Sequence, residues 1–299
     1  MMSVTSLQMT RPLKKGDQFH VVAVSSPLNK KEDLHSGIKV LEDWGLICNQ
    51  IHTVDRSWGY LAGSDEDRFN ELHPKKQFPL LAFARGGWGS ARLLEKTQPW
   101  RKCWMVGFSD LTSILLARLA GGFHGGVHGP LITTLGDEPD WSKERLQSIL
   151  FGNIVPDIYG KPWGGGVSKG HLIVGNLTVL THMIGTKHLP NFKKAILVIE
   201  DIGEAPYKID RMLTHLRLAG ILQQVAGLGF GSFKHCVDNK DIDKTKTFEL
   251  IDIFKDRTKD LKIPIVSNLP IGHCCGNASL PLGSQAVLNG SNGILSLSG

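Results

Sequence analysis

The sequence predicts an α/β protein with an N-terminal parallel sheet domain and a second, smaller mixed α/β, β-rich C-terminal domain. Three observations predict it. Short apolar runs alternate with helical patterns through the first half. A glycine- and proline-marked stretch then interrupts the alternation. Beyond it, one strong strand and one amphipathic helix are followed by several short strands.

The elements follow in order. Residues 20–25 (HVVAVS) read as a short buried strand, and a Ser-Ser-Pro turn leads into a helical pattern over residues 31–44 that Gly45 stops. Residues 80–84 form a second apolar run, ended by Gly86-Gly87, with a helix start suggested at 92–95. Residues 104–106 are a third strand, followed by a turn and a helix over 113–119. Pro162 and Gly164-Gly165-Gly166 mark residues 158–170 as a linker between an N-terminal domain, 1–157, and a C-terminal domain, 171–299. In the second half the pattern predicts a helix over 177–184, a strong strand at 195–199 and a helix over 207–219. Short strands are expected near 263–266, 286–288 and 294–297.

Composition narrows the function. In 299 residues, 41% are hydrophobic and 21% charged, which suits a globular chain with a sizeable core. The net charge of +6 is spread over short, distant pairs such as Lys14-Lys15, Lys75-Lys76 and Lys193-Lys194. Nucleic-acid binding would gather those charges on one face, so no nucleic-acid partner is expected. The five cysteines are odd in number and lack a C-x-x-C pair, which suits a reducing compartment and argues against a zinc or redox motif. Residues 1–18 show no apolar leader, and no apolar run approaches the ~20 residues of a membrane span, so a cytoplasmic protein without a membrane partner is expected.

Three segments carry candidate chemistry. Gly107-Phe108-Ser109-Asp110-Leu111-Thr112 lies between a strand and a helix, where open α/β sheets expose a side chain and helix amides can stabilise an oxyanion. Leu111 stands where the G-x-S-x-G elbow has its last glycine, and helix capping by Ser109, Asp110 or Thr112 is the competing reading. Arg85-Gly86-Gly87-Trp88-Gly89 follows a strand, and its amides could donate to an oxyanion or carboxylate. A plain turn is the rival, and neither phosphate-loop pattern is present. Glu200-Asp201 ends a strand, with Glu204 close behind, and any of the three could orient a histidine. Of twelve histidines, His273 sits in a Gly- and Pro-marked loop, with His128 and His182 as rivals.

In this order the segments resemble the LD-carboxypeptidase family of serine peptidases, over nearly the whole chain. YLAGSD at residues 60–65 with Arg68, RGGWGSARLL at 85–94 and GFSDLT at 107–112 are similar to its motifs. So are HGP at 128–130, GNL at 175–177 and Glu200-Asp201 with Pro206-Tyr207 and Asp210-Arg211. Gly272-His273 with Asn277 and Pro281-Leu282-Gly283 completes the set. Trp88 stands where a tyrosine is commoner, and Cys274-Cys275 follows the histidine.

The resemblance implies Ser109 as nucleophile, Glu200 as acid and His273 as base, with the oxyanion held by the Asp110 amide and one from Gly86-Gly87. It implies a Rossmann-like N-terminal domain, an active site between the two domains, a homodimer, and no metal or organic cofactor. The implied substrate is murein tetrapeptide or another muropeptide, cut between an L-centre such as meso-diaminopimelate and terminal D-alanine during peptidoglycan recycling. An immunity-type hydrolase of aminoacyl-nucleotide conjugates, of the microcin C kind, is the alternative. The chain's length favours the carboxypeptidase.

Overall fold

Val21 to Val24 are almost wholly buried, and that apolar run forms the end of β1 (Gln18–Val22) and its exit. The computed structural model describes residues 10–28, 30, 32–49, 55–238 and 247–298. Residues 1–9 of the segment read for a leader, and Lys31 at the expected helix start, lie outside the described residues.

The chain divides into two compact units, neither of them continuous in sequence. The first holds the residues up to Pro156 together with Thr186–Pro190 and Cys275–Gly283; the second holds Asp157–Gly185, Asn191–Cys274 and the residues from Ser284 on.

In the first unit, β1 is followed by α1 (Glu32–Asp43), β2 (Ile47–Cys48), α2 (Asp65–Leu72), β3 (Leu80–Phe83) and β4 (Trp104–Gly107). Then come α3 (Thr112–Ala120), β5 (Gly126–His128), α4 (Ile132–Leu135) and α5 (Asp140–Phe151). The segment expected as a helix at 92–95 is a tighter 3₁₀ turn, Ser90–Glu95. Helix α1 turns Leu34, Ile38 and Leu41 into a core shared with Phe19, Val21, Leu80 and Val106. Each such aliphatic side chain contributes about 1.5–3 kcal/mol when fully buried.

Strands β5, β4, β3, β1 and β2 lie side by side and parallel. A sixth strand, β12 (Leu280–Pro281), pairs antiparallel to β5 through Leu280 and His128. The chain leaves β1 toward β2 on one side and reaches β3 on the other, so strand order reverses between β1 and β3. Ligand sites in open α/β sheets form beyond the carboxyl ends of strands at such a reversal. The loops after β1, β3 and β4 carry Ser25, Gly86 and Ser109 respectively.

The second unit holds β6 (Ile158–Tyr159), β7 (Lys161–Pro162), β8 (Val167–Asn176), α6 (Leu177–His182), β9 (Ile196–Ile202) and α7 (Pro206–Leu218). It continues with β10 (Gly227–Lys234), α8 (Leu250–Thr258), β11 (Ile265–Ser267), β13 (Gln285–Asn289) and β14 (Ile294–Leu297). Their sheet runs β6-β14-β13-β8-β9-β10-β11-β7. Strands β8 to β11 are parallel, and antiparallel strands flank them.

Residues 158–170 are therefore not a free linker. They supply β6, β7 and the start of β8, which pair with β14, β11 and β13. The glycine run, whose composition suggested looseness, is a built turn. Gly164, Gly165 and Gly166 all adopt positive φ, and a Cβ on Gly165 would lie 2.0 Å from the Ile263 carbonyl oxygen. Among the described residues no helix is long and apolar enough to cross a membrane.

Candidate active site

After β4 comes extended Phe108, and the chain then turns at Ser109, which has a φ of 63°. That left-handed conformation costs a non-glycine residue about 1–2 kcal/mol. A strained, short turn between strand and helix is how a serine is lifted out of a sheet and presented. Asp110 and Leu111 complete a 3₁₀ turn that runs into α3. Capping does not explain Ser109, because no side-chain hydrogen bond caps either that turn or α3.

The glycine loop packs directly on this turn. A Cβ on Gly86 would come within 2.9 Å of both Cβ and Oγ of Ser109, and 3.7 Å from the Asp110 nitrogen, so no larger residue fits there. The loop is tied to the end of β1: the Ser26 amide donates to the Gly86 carbonyl at 3.3 Å, and the Trp88 amide donates to Ser26 Oγ at 3.3 Å. Arg68, wholly buried, braces it from below by donating to the carbonyls of Gly89 (2.8 Å), Gly63 (3.2 Å) and Val24, while it pairs with Asp65. Asp65 also accepts from Arg92 at 2.6 Å.

Asp110 is 1% exposed. Its Oδ2 accepts from Ser25 Oγ at 2.6 Å and from the Ser90 amide at 2.8 Å. Burial pushes its carboxyl above the usual carboxylate range, an effect the hydrogen bonds from Ser25 and Ser90 oppose.

In the second unit, Glu200 lies near the end of β9 and is fully buried. Its Oε2 meets His273 Nδ1 at 2.7 Å and accepts the His273 backbone amide at 3.3 Å. A neutral imidazole donating from Nδ1 carries its lone pair on Nε2, which is the tautomer a general base requires. The preceding Gly272 has a φ of 97°, and a Cβ there would sit 2.4 Å from Glu200 Oε2. Only glycine lets the loop approach the carboxylate this closely.

The neighbouring acids do other things. Asp201 accepts from Asn176 Nδ2 at 3.1 Å and from the amide and hydroxyl of Thr178, both at 2.8 Å, which ties β9 to the start of α6. Burial pushes its carboxyl upward as well, against hydrogen bonds from Ile202 and Thr178. Glu204 pairs with Lys208 at 2.9 Å and, with His182, Arg211 and His215, lines an open groove of about 640 Å³. His128 is fully buried on β5, its ring 5.6 Å from that of Phe108.

Ser109, Gly86 and Asp110 thus come together in one unit, and Glu200 and His273 in the other. Sequence reasoning overlooked Ser25 and Ser90 as supports of the Ser109 turn, since nothing local marks a serine as the partner of a carboxylate 85 or 20 residues away. Cys274 is half-buried and Cys275 exposed, and neither is in a disulfide. Among the described residues no three His, Cys, Asp or Glu side chains cluster as metal ligands would.

Comparison with known proteins gives a consistent neighbourhood. The LD-carboxypeptidase N-terminal domain family matches residues 19–129, and the LD-carboxypeptidase C-terminal domain family matches residues 169–288. A Synechocystis protein named as a carboxypeptidase is 42% identical over 95% of this chain and 95% of its own. The murein tetrapeptide carboxypeptidase of Pseudomonas aeruginosa is 31% identical over 86% of this chain and 89% of its own. The crystal structure of muramoyltetrapeptide carboxypeptidase from Oxalobacter formigenes is similar with a TM-score of 0.81 at 27% identity, covering 94% of this chain and 97% of that one. The microcin C7 self-immunity protein shares the fold, with a TM-score of 0.84 at 21% identity over 98% of this chain and 99% of that one.

Proposed function

Because the chain belongs to the LD-carboxypeptidase family, and so is a serine-type carboxypeptidase by class, we propose that it releases terminal D-alanine from murein tetrapeptide. Ser109 is the nucleophile in this reading. His273 Nε2 takes the Ser109 proton as Oγ attacks the scissile carbonyl, and Glu200 holds the imidazole and stabilises the imidazolium. The amides of Asp110 and of the Gly86-Gly87 loop carry the charge that develops on the carbonyl oxygen. His273 then returns the proton to the departing amine of D-alanine, and water, activated by the same imidazole, hydrolyses the acyl-enzyme to free tripeptide. No cofactor enters any step.

The observation that carries the reading is the 2.7 Å pairing of His273 Nδ1 with a carboxylate wholly shielded from water. The names of the relatives support the substrate: the Pseudomonas aeruginosa and Oxalobacter formigenes proteins act on murein tetrapeptide and muramoyltetrapeptide. The reading carries with it a cytoplasmic enzyme of peptidoglycan recycling that works as a homodimer.

Incubation with murein tetrapeptide, with free D-alanine as readout, tests it. D-alanine release that persists after treatment with phenanthroline and desalting is the expected result. Release that vanishes and returns with zinc would replace the serine mechanism with a metal one. Turnover of an aminoacyl-sulfamoyl nucleotide with none of the tetrapeptide would move the chain to the immunity-type branch.

A further inference from the structure

We propose that the Asp110 side chain is a positioning residue for the reaction: it clamps the nucleophile turn to the glycine loop and so sets the spacing of the oxyanion donors. This rests on the reading above, which places one donor on each of the two segments.

Three stretches of chain converge on this carboxylate. Ser25 comes from the exit of β1, Ser90 from the far end of the glycine loop, and Asp110 itself from the turn after β4. The contact runs both ways, because Ser90 Oγ donates to the Asp110 carbonyl at 2.7 Å and lies 2.6 Å from Ser113 Oγ in α3. The 3₁₀ turn that starts at Ser90 has Gly89 at its cap position, which has no side chain to offer. Asp110 supplies the missing acceptor from another strand's loop.

The arrangement is expensive. Asp110 Oδ1 is buried as well, and besides Ser25 and Ser90 the Gly89 amide also favours the charged carboxylate. Burying a carboxylate costs free energy that burying an apolar residue of like size would not. What the cost secures is the contact of Gly86 with Ser109, where there is no room for a methyl group. Donors to an oxyanion act in the transition state and must stand within a few tenths of an ångström of their place. A clamp that spans both donors therefore acts on kcat and leaves substrate affinity alone.

The test compares Asp110→Ala, Asp110→Asn and Ser25→Ala with the wild-type enzyme. Asp110→Ala should lower kcat for D-alanine release about 100-fold, in the range of a lost oxyanion donor, with KM within about threefold. Asp110→Asn keeps an acceptor for Ser25 and Ser90 and should recover to within about tenfold of wild type. Ser25→Ala removes one of the hydrogen bonds and should lower kcat by a few-fold. Affinity for a tripeptide boronic acid, which mimics the tetrahedral state, should fall in step with kcat, while affinity for the tripeptide product holds. Hydrogen exchange supplies an arm independent of substrate: the Ser90 amide should lose protection in Asp110→Ala.

Wild-type kcat in Asp110→Ala would overturn the clamp. So would a fall in kcat, product affinity and Tm together, which marks a merely structural role. If Asp110→Ala does not fold, unchanged kcat and unchanged exchange in Ser25→Ala overturn it equally well. A wild-type protein that releases no D-alanine refutes the functional reading instead, and the exchange of the Ser90 amide still decides whether the clamp exists.

Discussion

Glu200 Oε2 sits 2.7 Å from His273 Nδ1 and also receives the His273 backbone amide at 3.3 Å, so one carboxylate oxygen holds both the ring and the main chain of the same histidine. The ring cannot swing without breaking a bond to a fully buried acceptor.

Replacing Glu200 with glutamine should leave the fold intact and lower kcat by about 10³–10⁴, because the amide no longer enforces the Nδ1–H tautomer or stabilises the imidazolium. Steady-state kinetics on murein tetrapeptide check this. A loss confined to KM would remove Glu200 from the proton relay.

Ser109 carries a φ of 63°, which a Cβ disfavours. Ser109→Ala and Ser109→Gly should both lose several orders of magnitude in turnover. They should differ in stability: glycine relieves the left-handed strain that alanine retains, a gain of about 1 kcal/mol. Thermal unfolding of the two variants measures the difference. Equal Tm values would mean that the turn stores no strain.

Gly272 faces Glu200 so closely that a methyl group at 2.4 Å from Oε2, on a backbone with a φ of 97°, must displace one of them. Gly272→Ala should cost about 2–3 kcal/mol of stability and most of the turnover. Chemical denaturation gives the first number and D-alanine release the second. A stable, fully active variant would show that the loop has slack.

Glu138 offers a pH-dependent prediction. Its Oε2 accepts the Asn277 amide at 2.9 Å, and burial pushes its carboxyl above the usual range, against hydrogen bonds from Ser142 and the Asn277 amide. The folded pKa lies above the unfolded one. The stabilising contribution is therefore complete below the unfolded pKa and is lost as pH rises through the folded pKa. Glu138→Gln keeps an acceptor for Asn277 and does not titrate. Its Tm should gain on wild type as pH rises from about 4 to about 7, the span above an ordinary carboxyl. A Tm difference that does not change with pH would contradict the assignment.

Much of this was legible locally. Apolar runs near residues 20, 80 and 104 announce parallel strands, and glycines at 86 and 87 announce a turn that needs room. Ser109 between strand and helix, and Glu200-Asp201 at a strand end, become candidates for the same reason: hydrophobic periodicity and turn residues act over a few positions. Strand β10 escaped notice because Gly227, Gly229 and Gly231 are poor strand formers, and only pairing with β9 and β11 makes the segment a strand. The run 158–170 was misjudged because glycine looks the same in a loose tether and in a tight turn.

The amino-acid sequence by itself determined the alternation that makes the protein α/β, the strand-to-helix turn that carries Ser109, and the set of acids and histidines from which a site could be drawn. Residue patterns alone left Glu200, Asp201 and Glu204 open, the family resemblance named Glu200, and nothing local could show which carboxylate meets His273 or find the partners of Asp110. Those choices depend on hydrogen bonds between residues as far apart as 73 and 85 positions. Only tertiary structure decides them, because a buried carboxylate takes whichever donors the packed strands bring within about 3 Å, and no local pattern encodes that distance.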